Sequence, residues 1–289
     1  MFILRIFIGV LICSLAYGDI RKTTDLQTIK REIFASPKDT LVVFDIDLVL
    51  IIPDDEIFLL HFKPEGKQLL KTTLDQKASS KDIPYFISII MNAHKFNTVT
   101  PDTAKVFNQI KAKGYKVLGL TASGTGAYGV IPSLEAWRVQ QLKELDIVFD
   151  KYYKDSRAGA LDRYIPNVGE YHAKTMHACF PAAEDGIIFT CGVPKGETLD
   201  AYLQYAKIKP KKIVFIDDMM ENLQTVEKYC QDHNIDFVGF EYDAVKEKYK
   251  DVTLNLQRFK LRFMLLELTK TWISEKQADQ IIETIQKSN

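Results

Sequence analysis

Five short apolar runs stand out along the chain, at 41–44, 116–120, 186–190, 212–216 and 236–240, and together they are rich in Val, Ile and Phe. Polar residues or glycines bound them. Their apolarity is continuous rather than alternating, which is typical of strands that are buried on both faces. Such strands occur in parallel sheets, so the pattern predicts a parallel β-sheet at the centre of the molecule.

Between these runs, apolar residues recur at helical spacing in four segments. Pro101 and Asp102 open the first, which ends near Gly114, and Pro132 and Ser133 open the second. The other two lie around 199–206 and 223–229. Strands that alternate with helices predict an α/β fold with a Rossmann-like, doubly wound parallel sheet and right-handed crossovers. Residues 251–286 also have helical spacing, and we expect them to pack on the edge of the sheet.

Two segments, 48–100 and 148–185, are longer than the crossovers require. Ligands of open α/β sheets bind at the carboxyl ends of the strands, and long insertions there usually cover the site. We therefore expect helical or irregular cap insertions. The alternative is that both segments are surface decorations with small cores of their own.

The bulk composition excludes some classes of protein. A chain of 289 residues suits one α/β domain with insertions. Lys and Arg together number 38, as do Asp and Glu, so there is no basic excess for binding nucleic acid or an anionic membrane.

The first 18 residues have the pattern of a secretory signal peptide. Arg5 precedes a short apolar stretch, and small residues lead to Gly18, after which cleavage is expected. The stretch is too short for a comfortable permanent transmembrane anchor. The sequence thus predicts an exported protein, periplasmic or secreted, with its domain at 19–289; a buried first strand or an uncleaved anchor is the alternative.

Export would remove Cys13 and leave Cys179, Cys191 and Cys230. Three cysteines allow at most one disulfide, and none forms a C-x-x-C pair, so neither a disulfide scaffold nor a zinc site is indicated. We expect Cys191 and Cys230 to be small core residues. The five histidines show no metal-ligand spacing, and the acidic run 54–56 is expected to be a solvated loop.

Polar residues stand where four of the predicted strands, or the segments after them, end: Asp45 and Asp47, Thr121, Lys195, and the pair Asp217 and Asp218. The carboxyl ends of parallel strands share one edge of a sheet, so these side chains can meet. One carboxylate can attack phosphorus and a second can act as acid and base. A hydroxyl and an ammonium can hold phosphoryl oxygens, while oxygen ligands suit Mg²⁺.

These segments resemble the motifs of the haloacid dehalogenase (HAD) superfamily of phosphohydrolases. LVVFDIDLVL at 41–50 is similar to the first motif, KVLGLTAS at 116–123 to the second, GVPKGETL at 192–199 to the third and IVFIDDMMEN at 213–222 to the fourth. The resemblance runs through most of residues 19–289 and points to an exported bacterial branch with unassigned substrates.

The resemblance implies a role for each matching residue. Asp45 would be the nucleophile and Asp47 the general acid and base. Thr121 and Lys195 would bind the phosphoryl group. The resemblance also implies Mg²⁺ held by the Asp45 carboxylate, the Asp47 main-chain carbonyl and Asp218, with Asp217 nearby or bound through water.

Asn222 would orient the loop of the fourth motif. Ser123 departs from the pattern, because related exported sequences often carry Arg at this position. Arg157 or Arg163 could supply the missing charge only if the second insertion folds over the site. Because of this difference, the resemblance supports a shared mechanism more strongly than a shared substrate.

Each residue also has an ordinary interpretation when it is considered alone. Asp45 and Asp47 could be turn aspartates, Thr121 a strand end, Lys195 a solvated lysine and the acidic pair a helix cap. A D-x-D pair also occurs in glycosyltransferases, but that class would not explain Lys195 or the acidic pair. A receiver domain has its acidic pair first and its lysine last, which is the wrong order. A HAD-like scaffold that binds an envelope or host partner, with weak catalysis or none, remains the non-enzymatic alternative.

Overall fold

The computed structural model describes residues 19–76, 82–151, 155–172 and 179–288. The predicted signal peptide lies outside these residues. The strands are β1 (Asp19–Thr23), β2 (Leu41–Phe44), β3 (Ile51–Pro53), β4 (Phe96–Thr98), β5 (Lys116–Thr121), β6 (Ala182–Glu184), β7 (Ile187–Phe189), β8 (Lys212–Asp217) and β9 (Asp236–Tyr242). Each of the five apolar runs therefore contains a strand, as predicted.

Helices separate most of these strands, and three more follow the last strand within the described residues. The helices are α1 (Leu26–Ala35), α2 (Pro64–Gln76), α3 (Asp82–Ala93), α4 (Thr103–Ala112), α5 (Leu134–Glu144), α6 (Val168–His172), α7 (Lys195–Ala206), α8 (Met220–Asp232), α9 (Ala244–Tyr249), α10 (Leu256–Thr269) and α11 (Glu275–Ser288). Short 3₁₀ helices lie at Glu56–His61 and Asp162–Tyr164. All four predicted helical segments are present, as α4, α5, α7 and α8.

The central sheet has the strand order β1-β9-β8-β2-β5-β7-β6 among the described residues. Its strands are parallel except β6, which runs antiparallel to β7 at one edge. The predicted α/β fold with a mostly parallel, helix-flanked sheet is thus confirmed, and it is consistent with a Rossmann-like fold. The edge strands β1 and β6 were not predicted, and β3 and β4 form a separate antiparallel pair.

Helices cover both faces of the sheet, which explains why the strands are apolar throughout. In β2, Val42 and Phe44 face a core that contains residues of α1 and α4, while Leu41 and Val43 face a core that contains residues of α7 and α8. All four side chains are buried. The burial of both faces leaves the strand ends as the places where polar groups of the sheet can reach a ligand.

The C-terminal helices pack against the first insertion, so the prediction that they lie on the edge of the sheet is wrong. Phe259, Phe263 and Leu266 of α10 join Leu59 and Leu60 in one apolar cluster, to which no strand of the central sheet contributes within the described ranges. Helix α10 thus buries apolar side chains of the first insertion. The alternative of an insertion with a satellite core therefore describes this region.

The acidic run in this insertion is not a solvated loop either. Asp55 is buried, and its carboxylate accepts hydrogen bonds from the guanidinium of Arg262 and, at 2.8 Å, from the indole nitrogen of Trp272. Arg262 is also buried, and its Nη1 lies 3.1 Å from Asp55 Oδ1. Packing of α10 against the first insertion brings the cation Arg262 to Asp55. The sequence around Asp55 does not reveal this contact.

The described part of the second insertion packs on α7. Leu161 and Ile165 are buried in the core beneath that helix, and the Tyr171 hydroxyl lies 2.8 Å from a carboxylate oxygen of Glu197 in its first turn. The insertion therefore reaches the helix that begins at Lys195. Across the parts of the chain that the structure describes, no helix combines the length and apolarity that a membrane crossing requires.

Candidate functional site

Asp45 is the first residue after β2, and its backbone ties it to the neighbouring strand. Its N–H donates to the carbonyl of Ile216 at 2.9 Å, which continues the ladder in which Phe44 pairs with Ile216. Asp217, the last residue of β8, therefore lies beside Asp45. Both side chains are buried. The parallel register brings together two acids that are distant in the sequence.

Lys195 enters this acidic pair from the start of α7. Its ammonium nitrogen lies 2.6 Å from Asp45 Oδ1 and 2.7 Å from Asp217 Oδ2, and the side chain is only 2% exposed. Gly196 allows this approach, because a Cβ there would lie 2.1 Å from the carbonyl oxygen of Thr225 in α8. The contact of Gly196 with α8 thus sets where Lys195 enters the site.

Asn222 and Asp218 complete the loop after β8. Asp217 Oδ1 accepts hydrogen bonds from the Met219 N–H at 2.8 Å and from the Asn222 amide at 3.0 Å. Asn222 therefore contacts the loop that the resemblance expects it to orient. Lys246 donates to the Asp218 carbonyl, and its ammonium lies 3.8 Å from the Asp218 carboxylate.

The three buried acids carry more negative charge than their surroundings offset. Burial raises the pKa of Asp45 well above its usual range, Asp217 and Asp218 raise it further, and Lys195 opposes the shift. Burial and the neighbouring Asp217 raise the pKa of Asp218 to about 6. A further cation at this position would relieve the repulsion that raises both values.

The donor set fits a hard divalent cation. One carboxylate oxygen from each of Asp45, Asp217 and Asp218 lies within 4.8 Å of the others. Mg²⁺ takes oxygen ligands in this way. Within the described residues, this group of possible ligands contains no histidine.

Thr121 lies at the same edge of the sheet but is engaged in a turn. It ends β5, two residues beyond the partner of Phe44, and is fully buried. Its hydroxyl accepts a hydrogen bond from the Ser123 N–H at 3.2 Å, and its carbonyl accepts one from Thr190 at 3.0 Å. The hydroxyl therefore shapes the loop after β5 in this structure.

Asp47 stands outside the group of three acids and pairs with Arg138 of α5. The two carboxylate oxygens lie 2.8 and 3.1 Å from Arg138 Nη2. The Asp47 side chain is 44% exposed, whereas that of Arg138 is 6% exposed. The chain leaves the strand before Asp47, since β2 ends at Phe44.

Arg138 contacts Asp47 and was not predicted from the sequence as part of the site. It lies between Leu134 and Leu142 at intervals of four residues, so it occupies the buried face of α5. A charged residue on an apolar face was the signal that could have revealed it. Arg163 instead stacks on Tyr164, and Arg157 is exposed, with no hydrogen bond or ion pair to these acids in the described residues.

A disulfide joins the second insertion to the loop after β7. Cys179 and Cys191 are bonded, so Cys191 is more than a small core residue. The Thr125 hydroxyl lies 3.2 Å from the Cys191 sulfur and donates to the Phe180 carbonyl at 2.8 Å. Cys230 is a free, buried core residue, as predicted.

Comparisons with known proteins place the chain in a family. An uncharacterized protein of Rickettsia prowazekii (strain Madrid E) is 25% identical over 244 residues, which cover 82% of this chain and 84% of the relative. A protein of Rickettsia conorii, also uncharacterized, is 26% identical over 273 residues and 87% of each chain. A Chlamydia pneumoniae protein, provisionally named an outer membrane protein, is 23% identical over 231 residues and 78% of each chain. The profile of the family described as "Protein of unknown function (DUF2608)" matches residues 22–279, and the chain therefore belongs to this family.

Proposed function

We propose that this chain is a Mg²⁺-dependent phosphatase of the HAD superfamily that hydrolyses phosphoric monoesters through an aspartyl phosphate on Asp45. The observation that carries the proposal is the buried group of Asp45, Asp217 and Asp218 with Lys195 between two of them, at the carboxyl edge of the sheet. A structural ion pair alone would not require a third buried carboxylate, whereas phosphoryl transfer uses all four groups.

Each residue has a defined role in the proposed reaction. A carboxylate oxygen of Asp45 attacks phosphorus, the bond from phosphorus to the alcohol oxygen breaks, and Asp47 protonates that oxygen. Asp47 then takes a proton from the water that attacks the acyl phosphate and restores Asp45. Asp47 is exposed enough to reach a bound ester.

Lys195 and Thr121 would hold the non-bridging oxygens of the phosphoryl group. Lys195 is already fixed by two carboxylates, whereas the Thr121 hydroxyl would add a contact to the substrate beside the one it makes with Ser123. Mg²⁺, held by Asp45, Asp217, Asp218 and the main-chain carbonyl of Asp47, would offset the negative charge that accumulates at phosphorus.

The test is hydrolysis of para-nitrophenyl phosphate by the purified protein, with and without Mg²⁺. We expect Mg²⁺-dependent turnover that falls at least about 1,000-fold in Asp45→Asn, because the variant lacks the nucleophile. Asp232→Asn is the matched control, since this acid of α8 is 55% exposed. Equal turnover by wild type and Asp45→Asn would refute the mechanism.

We also propose that the protein is exported and works in the cell envelope or outside the cell. The leading apolar segment and the provisional name of the Chlamydia relatives support this location. The same name favours the alternative of a scaffold that binds an envelope partner without catalysis. A wild-type protein that hydrolyses no phosphate ester in a broad panel would support that alternative, and N-terminal sequencing of the mature protein tests cleavage after Gly18.

A further inference from the structure

Arg138 has the surroundings of a fixed cation. Its guanidinium carbon lies 5.2 Å from the centre of the Phe96 ring and 5.1 Å from that of Trp137. Nη1 donates to the Gln141 side chain at 3.0 Å, and Nη2 contacts Asp47. With 6% of its side chain exposed, Arg138 is held in place by the rings and the amide.

The donors of this guanidinium are not all used. Arg138 Nε is buried and has no hydrogen-bond partner among the described residues. An arginine offers five donor hydrogens, and a buried donor without an acceptor is costly. Such a group calls for a ligand or an ordered water as its partner. The position of Arg138 next to the candidate site favours a ligand.

The direction of a bound substrate follows from the role proposed for Asp47, on which this inference rests. An acid that protonates the leaving oxygen must lie within hydrogen-bond reach of it. Arg138 Nη2 lies 2.8 Å from Asp47 Oδ1, so the leaving group would lie within about 6 Å of the guanidinium. The part of the substrate next to Arg138 is therefore the alcohol portion and not the transferred phosphoryl group.

We infer that Arg138 determines specificity by binding a second anionic group, a carboxylate or a phosphate, on the alcohol portion of a phosphoric monoester. The planar guanidinium can form bidentate hydrogen bonds with either anion. The incoming anion replaces Asp47 as the partner of Arg138. Asp47 is 44% exposed and is hydrated when released, whereas the buried Arg138 needs a new anion to remain paired. Binding of such a substrate thus frees Asp47 for its work on the leaving oxygen.

Matched substrates test this inference. Ethyl phosphate is compared with phosphoglycolate, which adds a carboxylate, and with ethane-1,2-diyl bisphosphate, which adds a phosphate. We expect the wild type to prefer at least one anionic compound by about 10- to 100-fold in kcat/KM. The preference should fall to within about threefold of unity in Arg138→Met and persist in Arg157→Met, which removes an exposed arginine. The two anionic compounds distinguish carboxylate from phosphate recognition.

A wild type without preference, or a preference that survives Arg138→Met, would overturn the inference. Inhibition of the wild type provides a measurement that does not depend on the folding of a variant. Phosphonoacetate or methylenebisphosphonate, which carry a carboxylate or a second phosphonate, should inhibit about tenfold more strongly than ethylphosphonate, and equal inhibition by all three compounds counts against the inference. If para-nitrophenyl phosphate is hydrolysed in an Asp45-dependent manner, only the specificity has failed. If no compound is hydrolysed in that manner, the proposed function has failed and the inference with it.

Discussion

The ammonium nitrogen of Lys195 lies 2.6 Å from a carboxylate oxygen of Asp45, and neither side chain is more than 8% exposed. A buried ion pair of this kind adds little net stability when complete, because both charges lose their hydration. Removal of one partner is costly, because the other charge is then buried without compensation. The cost of removing Lys195 should be larger than for a simple ion pair, since Lys195 also contacts Asp217.

Lys195→Met should weaken phosphate binding and lower stability together. The variant leaves three buried carboxylates with the more distant Lys246 as their cation, so we expect a loss of about 3–5 kcal/mol in the free energy of unfolding. Beryllofluoride binding in the presence of Mg²⁺ should fall at least about tenfold. Calorimetry measures both quantities. Lys211→Met is the control, because that side chain is 87% exposed, and unchanged beryllofluoride binding by Lys195→Met would make Lys195 a purely structural residue.

Mg²⁺ should raise the thermal unfolding midpoint of the wild type. A ligand that binds only the folded protein at 100 times its dissociation constant contributes about 2.7 kcal/mol. Asp218→Asn removes one of the three close carboxylates, so the Mg²⁺-dependent shift should shrink markedly, whereas Asp232→Asn should retain it. Differential scanning fluorimetry before and after chelation measures the shift. Equal Mg²⁺ effects in wild type and Asp218→Asn would rule out this set of ligands.

Gly196→Ala should lower stability and displace Lys195, although residue 196 is not one of the proposed catalytic residues. A Cβ at this position would meet the backbone of Thr225 at 2.1 Å, and backbone cannot rotate away as a flexible side chain can. Since α7 must shift, we expect a loss of about 1–3 kcal/mol of stability and a drop in the proposed phosphatase activity, because Lys195 moves with the helix. Gly169→Ala is the matched control, as a Cβ there meets no atom of the described residues within 4 Å. Chemical denaturation and the aryl phosphate assay show whether the two variants differ.

The strands, and the proximity of Asp45 and Asp217, could be predicted because the signals for the strands are local. Continuous apolarity marks β2, β5, β7, β8 and β9, and the parallel register then requires that residues at their carboxyl ends share one edge. The meeting of Asp45 with Asp217 follows from that register alone. The short edge strand β1 escaped prediction because it is polar, with Asp19, Arg21 and Lys22 among its five residues.

The pairing of charged residues across the structure could not be predicted. Arg138 meets Asp47 from 91 positions away, and Arg262 meets Asp55 across 207 positions. Nothing in the local pattern of either acid distinguishes it from a solvated aspartate. Only the packing of α5 on the loop after β2, and of α10 on the first insertion, decides which cation each acid meets.

The pair of Asp55 and Arg262 should make the protein sensitive to acid. Burial raises the pKa of Asp55, but Arg262 and the Trp272 indole more than offset this, so the pKa lies below the usual 3.8. A lowered pKa in the folded state adds stability above about pH 4, and that stability is lost as the pH falls through the folded value. At pH 7, Asp55→Asn should cost about 3–5 kcal/mol, because Arg262 is left buried without its anion. The difference from wild type should shrink between about pH 5 and pH 2, which urea unfolding across that range measures. A difference that stays constant with pH would mean that the charge on Asp55 contributes nothing to holding α10 on the first insertion.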